Sequence, residues 1–274
     1  MVRLTRTVRF AVNPATPAEG AGNGPVVPNG YAGVPAMRGL GRHYELDVAC
    51  LGCVDPRTGY FLNIKDIDAA TRATAIPMIA HACHASPQAD PAAVLSSCWG
   101  PLSAALGASL VSIRWRLSPT YSVEVTAPPH AVPAVALLRQ RFEFAASHRL
   151  HAAGMTDEEN RRCFGKCNHP SGHGHNYVIE PSVAVPLGAA TMDLGQLESL
   201  VIRHVIDRFD HKNLNTDTAE FGTATGLNPS VENIAKVCFD LLSGPISAAA
   251  AGARLRSITV WETEKTSCTY PADA

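Results

Sequence analysis

In the second half of the chain the hydrophobic positions change period several times. Phe142, Phe144, Ala146 and His148 alternate with other residues across Arg141–His148, which places them on one face of a β-strand. A polar loop follows, and a second strand is expected to begin near His173. Leu194, Leu197, Val201, Val205 and Phe209 recur at helical spacing, so an amphipathic helix is predicted over roughly 194–209. A further helix opens near Asn228-Pro229-Ser230, where Asn or Ser suits the cap and Pro the first turn, and runs through Ile234, Val237 and Leu241. Strands around 258–263 and 267–270 complete the order ββααββ.

The first half repeats this order. A strand at 7–12, a Gly/Pro-rich loop at 14–41 and a strand at 43–53 lead through Phe61-Leu62-Asn63-Ile64 into a helix near 66–79. A second helix near 92–106 precedes strands at 110–117 and 121–126. Between the halves, Ala127-Pro128-Pro129-His130-Ala131-Val132-Pro133 reads as a linker. The organisation predicted is a degenerate internal repeat, with modules at 1–137 and 138–274.

Composition narrows the class. The chain has 274 residues, enough for one large domain or two small ones, and folding alone requires no disulfide or metal staple. Charged residues make up 17% and the net charge is −1. A broad basic face for nucleic acid is therefore not expected, and the sparse charge suggests surface buried in an oligomer. No apolar run approaches the ~18–20 residues of a membrane span. The first ten residues lack an apolar signal core, so the eight cysteines are expected to be reduced thiols of a cytoplasmic protein.

Polar chemistry concentrates in the second half, which holds seven of the eleven histidines. His173-Gly174-His175 is the sharpest feature, because residues i and i+2 of a strand point the same way. His148, inward on the neighbouring strand, could supply a third nitrogen. Three histidines around zinc leave one open position, the arrangement of a catalytic site; the alternative is three separate core or surface histidines. Cys167, six residues before His173 on a turn-rich loop, is a thiol that nearby positive charge would favour as thiolate, a fourth metal ligand, or a plain loop cysteine. Asp210-His211 pairs a carboxylate with an imidazole that it can orient as acid or base. Glu262 is a carboxylate on a half-apolar strand. Such a group usually faces water; a functional one would accept two parallel N–H bonds from a planar ligand edge.

These residues lie within longer stretches: Phe144–Leu150, Asp157-Glu158-Glu159-Asn160, Cys163–Tyr177 (CFGKCNHPSGHGHNY), Met192-Asp193-Leu194, Phe209–Leu214, Ser230-Val231-Glu232-Asn233 and Trp261-Glu262-Thr263. In that order they resemble the 6-pyruvoyl-tetrahydropterin synthase family, and the resemblance covers the whole second half. It implies zinc ligands at His148, His173 and His175, a catalytic cysteine at Cys167, and a proton-transfer pair at Asp210 and His211. It also implies a pterin-anchoring glutamate at Glu262, with Glu232 and Ser230 near the same pocket. Val231 departs from relatives that carry a second Thr there. The implied substrate is 7,8-dihydroneopterin triphosphate, whose triphosphate leaves by β-elimination and could be attracted by Arg161, Arg162 and Lys166. A related activity, 6-carboxy-tetrahydropterin synthase of the queuosine route, and a non-catalytic pterin-binding or scaffold protein are the competing readings.

The same resemblance implies the tunnelling fold, an α+β architecture of antiparallel sheets with helices on one face. Its modules join into a barrel, with active sites at module interfaces. A two-module chain is accordingly expected to form a homo-oligomer, a trimer by preference. In the first half, Pro14, Leu40 and Arg42 stand where the second half has His148, His173 and His175. Ala80 and Leu117 face Asp210 and Glu262, and only His81 matches His211. That half is expected to be catalytically silent. A rival reading places a separate zinc site at Cys50, Cys53, His81, Cys83 and His84.

Overall fold

β1 (Val2–Val12) and β2 (Arg42–Gly52) alternate as half-buried strands do, with Val8, Phe10, Leu46, Val48 and Cys50 fully buried. They pair antiparallel, with Phe10 opposite Tyr44 and Val12 opposite Arg42. β3 (Leu110–Arg116) pairs with β2 and β4 (Tyr121–Thr126) with β3, which gives the order β1-β2-β3-β4. The computed structural model describes residues 1–14, 37–107, 109–128, 130–188, 192–222 and 226–272. Residues 15–36 of the expected Gly/Pro-rich loop lie outside these.

The helix expected near 66–79 is two helices, α1 (Ile64–Ala73) and α2 (Ala75–Ala85). Pro77 explains the break. Inside one continuous helix it would lack an N–H to donate and would clash with the carbonyl four residues back. A break at Thr74 moves Pro77 into the first turn of α2, where the amide has no intrahelical partner anyway. α3 (Pro91–Ala105) starts with Pro91 after the Asp90 cap and packs on β3 and β4.

The chain divides into two compact units, residues 1–137 with 186–189 and residues 138–185 with 190–274. In the second, β5 (Val135–Gln140) and β6 (Phe142–His148) are separated by Arg141, whose guanidinium lies over the Trp261 ring and bonds Glu180. β7 (His173–Pro186) is the central strand. Its first half pairs antiparallel with β6, placing Tyr177 opposite Phe144, His175 opposite Ala146 and His173 opposite His148. β8 (Lys212–Asn213) adds two parallel pairs to β6. The later part of β7 pairs with β9 (Arg254–Thr263), and β10 (Thr266–Tyr270) follows β9.

The polar stretch after His148 is not all loop. It contains α4 (Asp157–Phe164) and a 3₁₀ turn, Gly165–Asn168. Thr156 and Glu159 form a reciprocal capping box, a Thr-x-x-Glu signal present in the sequence. The helix expected over 194–209 runs as α5 (Leu194–Val201), a π-helical turn (Ile202–Ile206) and α6 (Asp207–Phe209). α7 (Leu214–Asp217) follows β8, and α8 (Val231–Ala249) packs Ile234, Cys238 and Leu242 against β9 and β10. The architecture is mixed α+β.

Four asparagines hold the segment that follows His148. Asn215 accepts from the Arg149 amide and donates to its carbonyl. Asn168 donates to the Leu150 carbonyl, and Asn228 accepts from the His151 amide. Asn160, fully buried, accepts from the Ala152 amide and donates to the carbonyls of Ala152, Met155 and Thr156. Buried backbone groups in an irregular segment must find partners, and here side-chain amides supply them. Replacing Asn160 strands several at once, so Asn160→Ala should lower stability by about 2–4 kcal/mol, at roughly 1 kcal/mol per bond plus the cost of unsatisfied groups. Urea unfolding of the two proteins measures it.

Candidate metal centre and active site

β6 and β7 bring three imidazoles together. His148 and His173 are cross-strand partners, and His175 lies two residues on, on the same face. One ring nitrogen of each lies within 4.8 Å of the others. The Nε2 atoms of His148 and His173 are 3.1 Å apart. Two Zn–N bonds of about 2.0–2.1 Å at a tetrahedral angle span about 3.3–3.4 Å, so this separation suits a shared ion.

The immediate surroundings also suit a cation. The His148 Nδ1–H donates to the Pro229 carbonyl at 2.7 Å, which leaves Nε2 with a free lone pair. His148 is fully buried, and the buried Nε2 of His175 has no hydrogen-bond partner among the described residues. Burial chiefly lowers the pKa of both His148 and His175, so both are neutral at neutral pH, as ligation requires. Nitrogen lone pairs facing one another in a buried site constitute a donor set waiting for a metal ion.

Gly172 permits the approach. Its φ is +67°, and a Cβ there would lie 2.7 Å from the His148 carbonyl oxygen. The residue before His173 must therefore be glycine for the chain to pass this close to the other ligand.

Glu262 does not face water. Its Oε1 lies 3.4 Å from His148 Nε2 and 3.7 Å from His175 Nε2, so β9 directs the carboxylate at the cluster. Below the imidazoles, Tyr177 is fully buried and stacks on Phe144 with ring centroids 5.1 Å apart. Burial first, then Glu262 and Cys167, push its phenol pKa up, so the hydroxyl stays protonated. Sequence reading assigned no role to Tyr177 or to the Pro229 carbonyl. Tyr177 could have been found from the same alternation that paired His173 with His175; the Pro229 contact joins positions 81 apart and has no local signal.

Cys167 lies in the 3₁₀ turn after α4 and lines a cavity of about 730 Å³ together with His173. Arg149, Arg161, Lys166 and His169 also line it, as does Asp157; Arg162 is not among its lining residues. Asp210-His211 docks on β6. The Asp210 carboxylate accepts from the Ala145 amide at 2.8 Å, and the His211 amide donates to the Ala145 carbonyl at 2.6 Å. The Ala145 amide first, and His211 second, hold the Asp210 carboxyl below the usual range. His211 adopts a left-handed φ of 57°, uncommon for a residue with a Cβ, and its Nδ1–H donates to Asp210 at 2.8 Å. This orients the ring with Nδ1 on Asp210, so that in the neutral imidazole Nε2 is the nitrogen able to take a proton.

The proton-transfer candidates do not share a cavity. His211 is exposed and lines a shallower cavity with Ser147, Gly174 and Asn176, whereas Cys167 lines the larger one. Ser230 caps α8 by accepting from the Asn233 amide, and Glu232 is exposed in its first turn. Neither lines the larger cavity. Among the described residues the three histidines are the one grouping fit for a metal, so Cys50, Cys53, His81, Cys83 and His84 do not form the rival site. All eight cysteines are free, and no described helix is long and apolar enough to cross a membrane.

The site combines, on a mixed α+β unit, three histidines on paired strands that could hold a metal ion, a carboxylate directed at them and a thiol on the cavity that His173 lines. The family model for 6-pyruvoyl tetrahydropterin synthase matches residues 137–273, and the chain belongs to that family. The human 6-pyruvoyl tetrahydrobiopterin synthase is 33% identical over 141 residues, covering 50% of this chain and 92% of the relative. The Drosophila melanogaster protein of the same name is 38% identical over 109 residues, covering 39% and 63%. A solved structure of Caenorhabditis elegans 6-pyruvoyl tetrahydropterin synthase is similar over 50% of this chain and 94% of that one, at 33% identity and a TM-score of 0.44.

The lowered histidine pKa values fix a pH dependence. Relative to their ordinary value of 6.5, His148 and His175 resist protonation when folded, so between 6.5 and the lowered folded values the unfolded chain binds more protons. The stability they contribute is present above 6.5 and is lost as pH falls below it. Urea midpoints of chelator-treated protein should therefore fall between pH 7.5 and 5.5, and saturating zinc should raise them. A midpoint independent of pH would mean that the cluster is not held neutral.

Proposed function

We propose that the protein is a zinc-dependent 6-pyruvoyl-tetrahydropterin synthase acting on 7,8-dihydroneopterin triphosphate, with the second unit as the catalytic module. The observation that carries this reading is the convergence of three imidazoles on one point, with Glu262 directed at it and Cys167 on the adjoining cavity. Family membership supports the pterin substrate.

Zinc bound at His148, His173 and His175 would act as a Lewis acid toward the side-chain oxygens and stabilise the charge left when an adjacent C–H is deprotonated. Cys167 is the proton-transfer group on the side of the cavity. Asp210 holds His211 in the tautomer whose Nε2 can take a proton, and the triphosphate departs by β-elimination. Glu262 anchors the pterin through paired N–H bonds, with Glu232 and Ser230 as further pocket residues. Arg161 and Lys166, both exposed on the cavity, attract the triphosphate.

The separation of Cys167 from His211 supports a site completed by another module, as in the tunnelling fold's barrels. The first unit is proposed to be a second module of the same fold. Its register supports a tandem repeat: Phe10 opposite Tyr44 and Leu46 opposite Trp115 match Phe144 opposite Tyr177 and Ile179 opposite Val260. It carries none of the three histidines, so the repeat is silent; the proposed assembly is a trimer of two-module chains, with a dimer or tetramer as the alternatives.

Zinc-loaded protein incubated with dihydroneopterin triphosphate, followed by mass spectrometry, tests the reading. A pyruvoyl product is expected. A carboxy product with acetaldehyde would assign the related queuosine-route activity, and unchanged substrate would mean a binding or scaffold role. Cys167→Ala should lose at least about a hundredfold in turnover, the scale of general acid–base catalysis. Metal analysis should find one zinc per chain. Two would contradict a silent first unit.

A further inference from the structure

Tyr177 has a hydroxyl that the proposed chemistry leaves without a task. It is fully buried, yet its oxygen meets no hydrogen-bond partner among the described residues. A phenol in a core normally finds an acceptor, because removal from water costs free energy that only a hydrogen bond returns. An orphan of this kind calls for an explanation in terms of function or a missing ligand.

Its position supplies one. Tyr177 follows His175 on the same face of β7, and its ring lies edge-on to the imidazoles of His175 and His148, with centroids 5.6 and 6.1 Å away. Stacking on Phe144, its cross-strand partner, fixes the ring plane. The first unit offers an internal comparison. Tyr44 sits opposite Phe10 as Tyr177 sits opposite Phe144, and there the Arg42 guanidinium and the Cys83 thiol interact with the tyrosine hydroxyl electrostatically. Where the chain has Arg42 the hydroxyl has a cationic neighbour, and where it has His175 the hydroxyl has no hydrogen-bond partner among the described residues.

We infer that Tyr177 is a ligand-binding residue whose hydroxyl donates a hydrogen bond to an oxygen of the substrate side chain at the histidine cluster. This rests on the pterin reading above for the identity of the substrate, but not for the existence of the donor. An O–H in this place selects an acceptor, and an oxygen held at the cluster is the acceptor that the site's chemistry brings there. The bond forms only when ligand is present, so its free energy appears in binding and turnover and not in the stability of the free protein.

Tyr177→Phe separates this role from a structural one. Removing an unpaired buried hydroxyl should leave the thermal midpoint of the metal-free protein unchanged or higher, with zinc content unchanged. kcat/KM for dihydroneopterin triphosphate should fall about tenfold or more. A midpoint lowered by several degrees would show that the hydroxyl already has a partner and would overturn the inference, as would unchanged kcat/KM. If the wild-type protein does not turn the substrate over, the pterin reading fails and a second probe decides. In that case glycolate is titrated into cobalt-substituted protein and followed by the visible cobalt spectrum. Weaker glycolate binding by Tyr177→Phe sustains the donor; equal binding overturns it.

Discussion

The register between β6 and β7 is the constraint on which the site depends. Side chains alternate across a sheet, so a slip of one residue would turn His148 away from His173 and His175 and move a buried face into water. Two features prevent the slip. Phe144 and Tyr177 are buried opposite each other and stacked, and a shift would separate them. Ala146 opposite His175 is small, leaving room for the imidazole to lean toward its neighbours. The metal centre is thus a consequence of apolar pairing one step further along the same two strands.

Register also explains how much of the site was legible beforehand. Alternation and the i, i+2 rule depend only on neighbouring positions, so the three histidines could be read from local pattern. So could the span of α5 to α6 and the start of α8 near Ser230, although Pro229 precedes the Ser230 cap instead of lying in the first turn. The approach of Glu262 to the cluster could not, because it depends on the pairing of β7 with β9, roughly 80 residues apart in sequence. The clamp on 149–152 was equally hidden. Asn215 and Asn228 reach back 66 and 77 positions to bond backbone groups, and an asparagine in a loop carries no mark of its target. By contrast α4 was readable: Thr156-x-x-Glu159 is a start signal, although the helix behind it is too short and polar to show a period. Pro77 likewise announced the break at Thr74.

The two units share strand pairing but differ in what occupies the corresponding positions. Phe10 and Tyr44 keep the aromatic pair that fixes register, while Arg42 replaces an imidazole and Trp115 a valine. The first unit has the aromatic strand pairing, and Arg42 rather than a histidine stands at the position matching His175. Strand pairing and metal ligation rest on different side chains of the same strands, so the pairing does not require the ligands.

That separation has a thermodynamic counterpart within the second unit. Buried polar atoms are ordinarily paired, yet the Nε2 of His175 and the hydroxyl of Tyr177 have no hydrogen-bond partner among the described residues. Each costs stability in the free protein, and Phe144, Ile179, Phe209 and Val260 in the surrounding core offset that cost. A folded chain tolerates such a cluster because the apolar register beneath it does not depend on the cluster being satisfied. The polar groups can therefore be kept oriented and unsatisfied until an ion or ligand arrives, which is the preorganisation that a metal-assisted proton transfer requires.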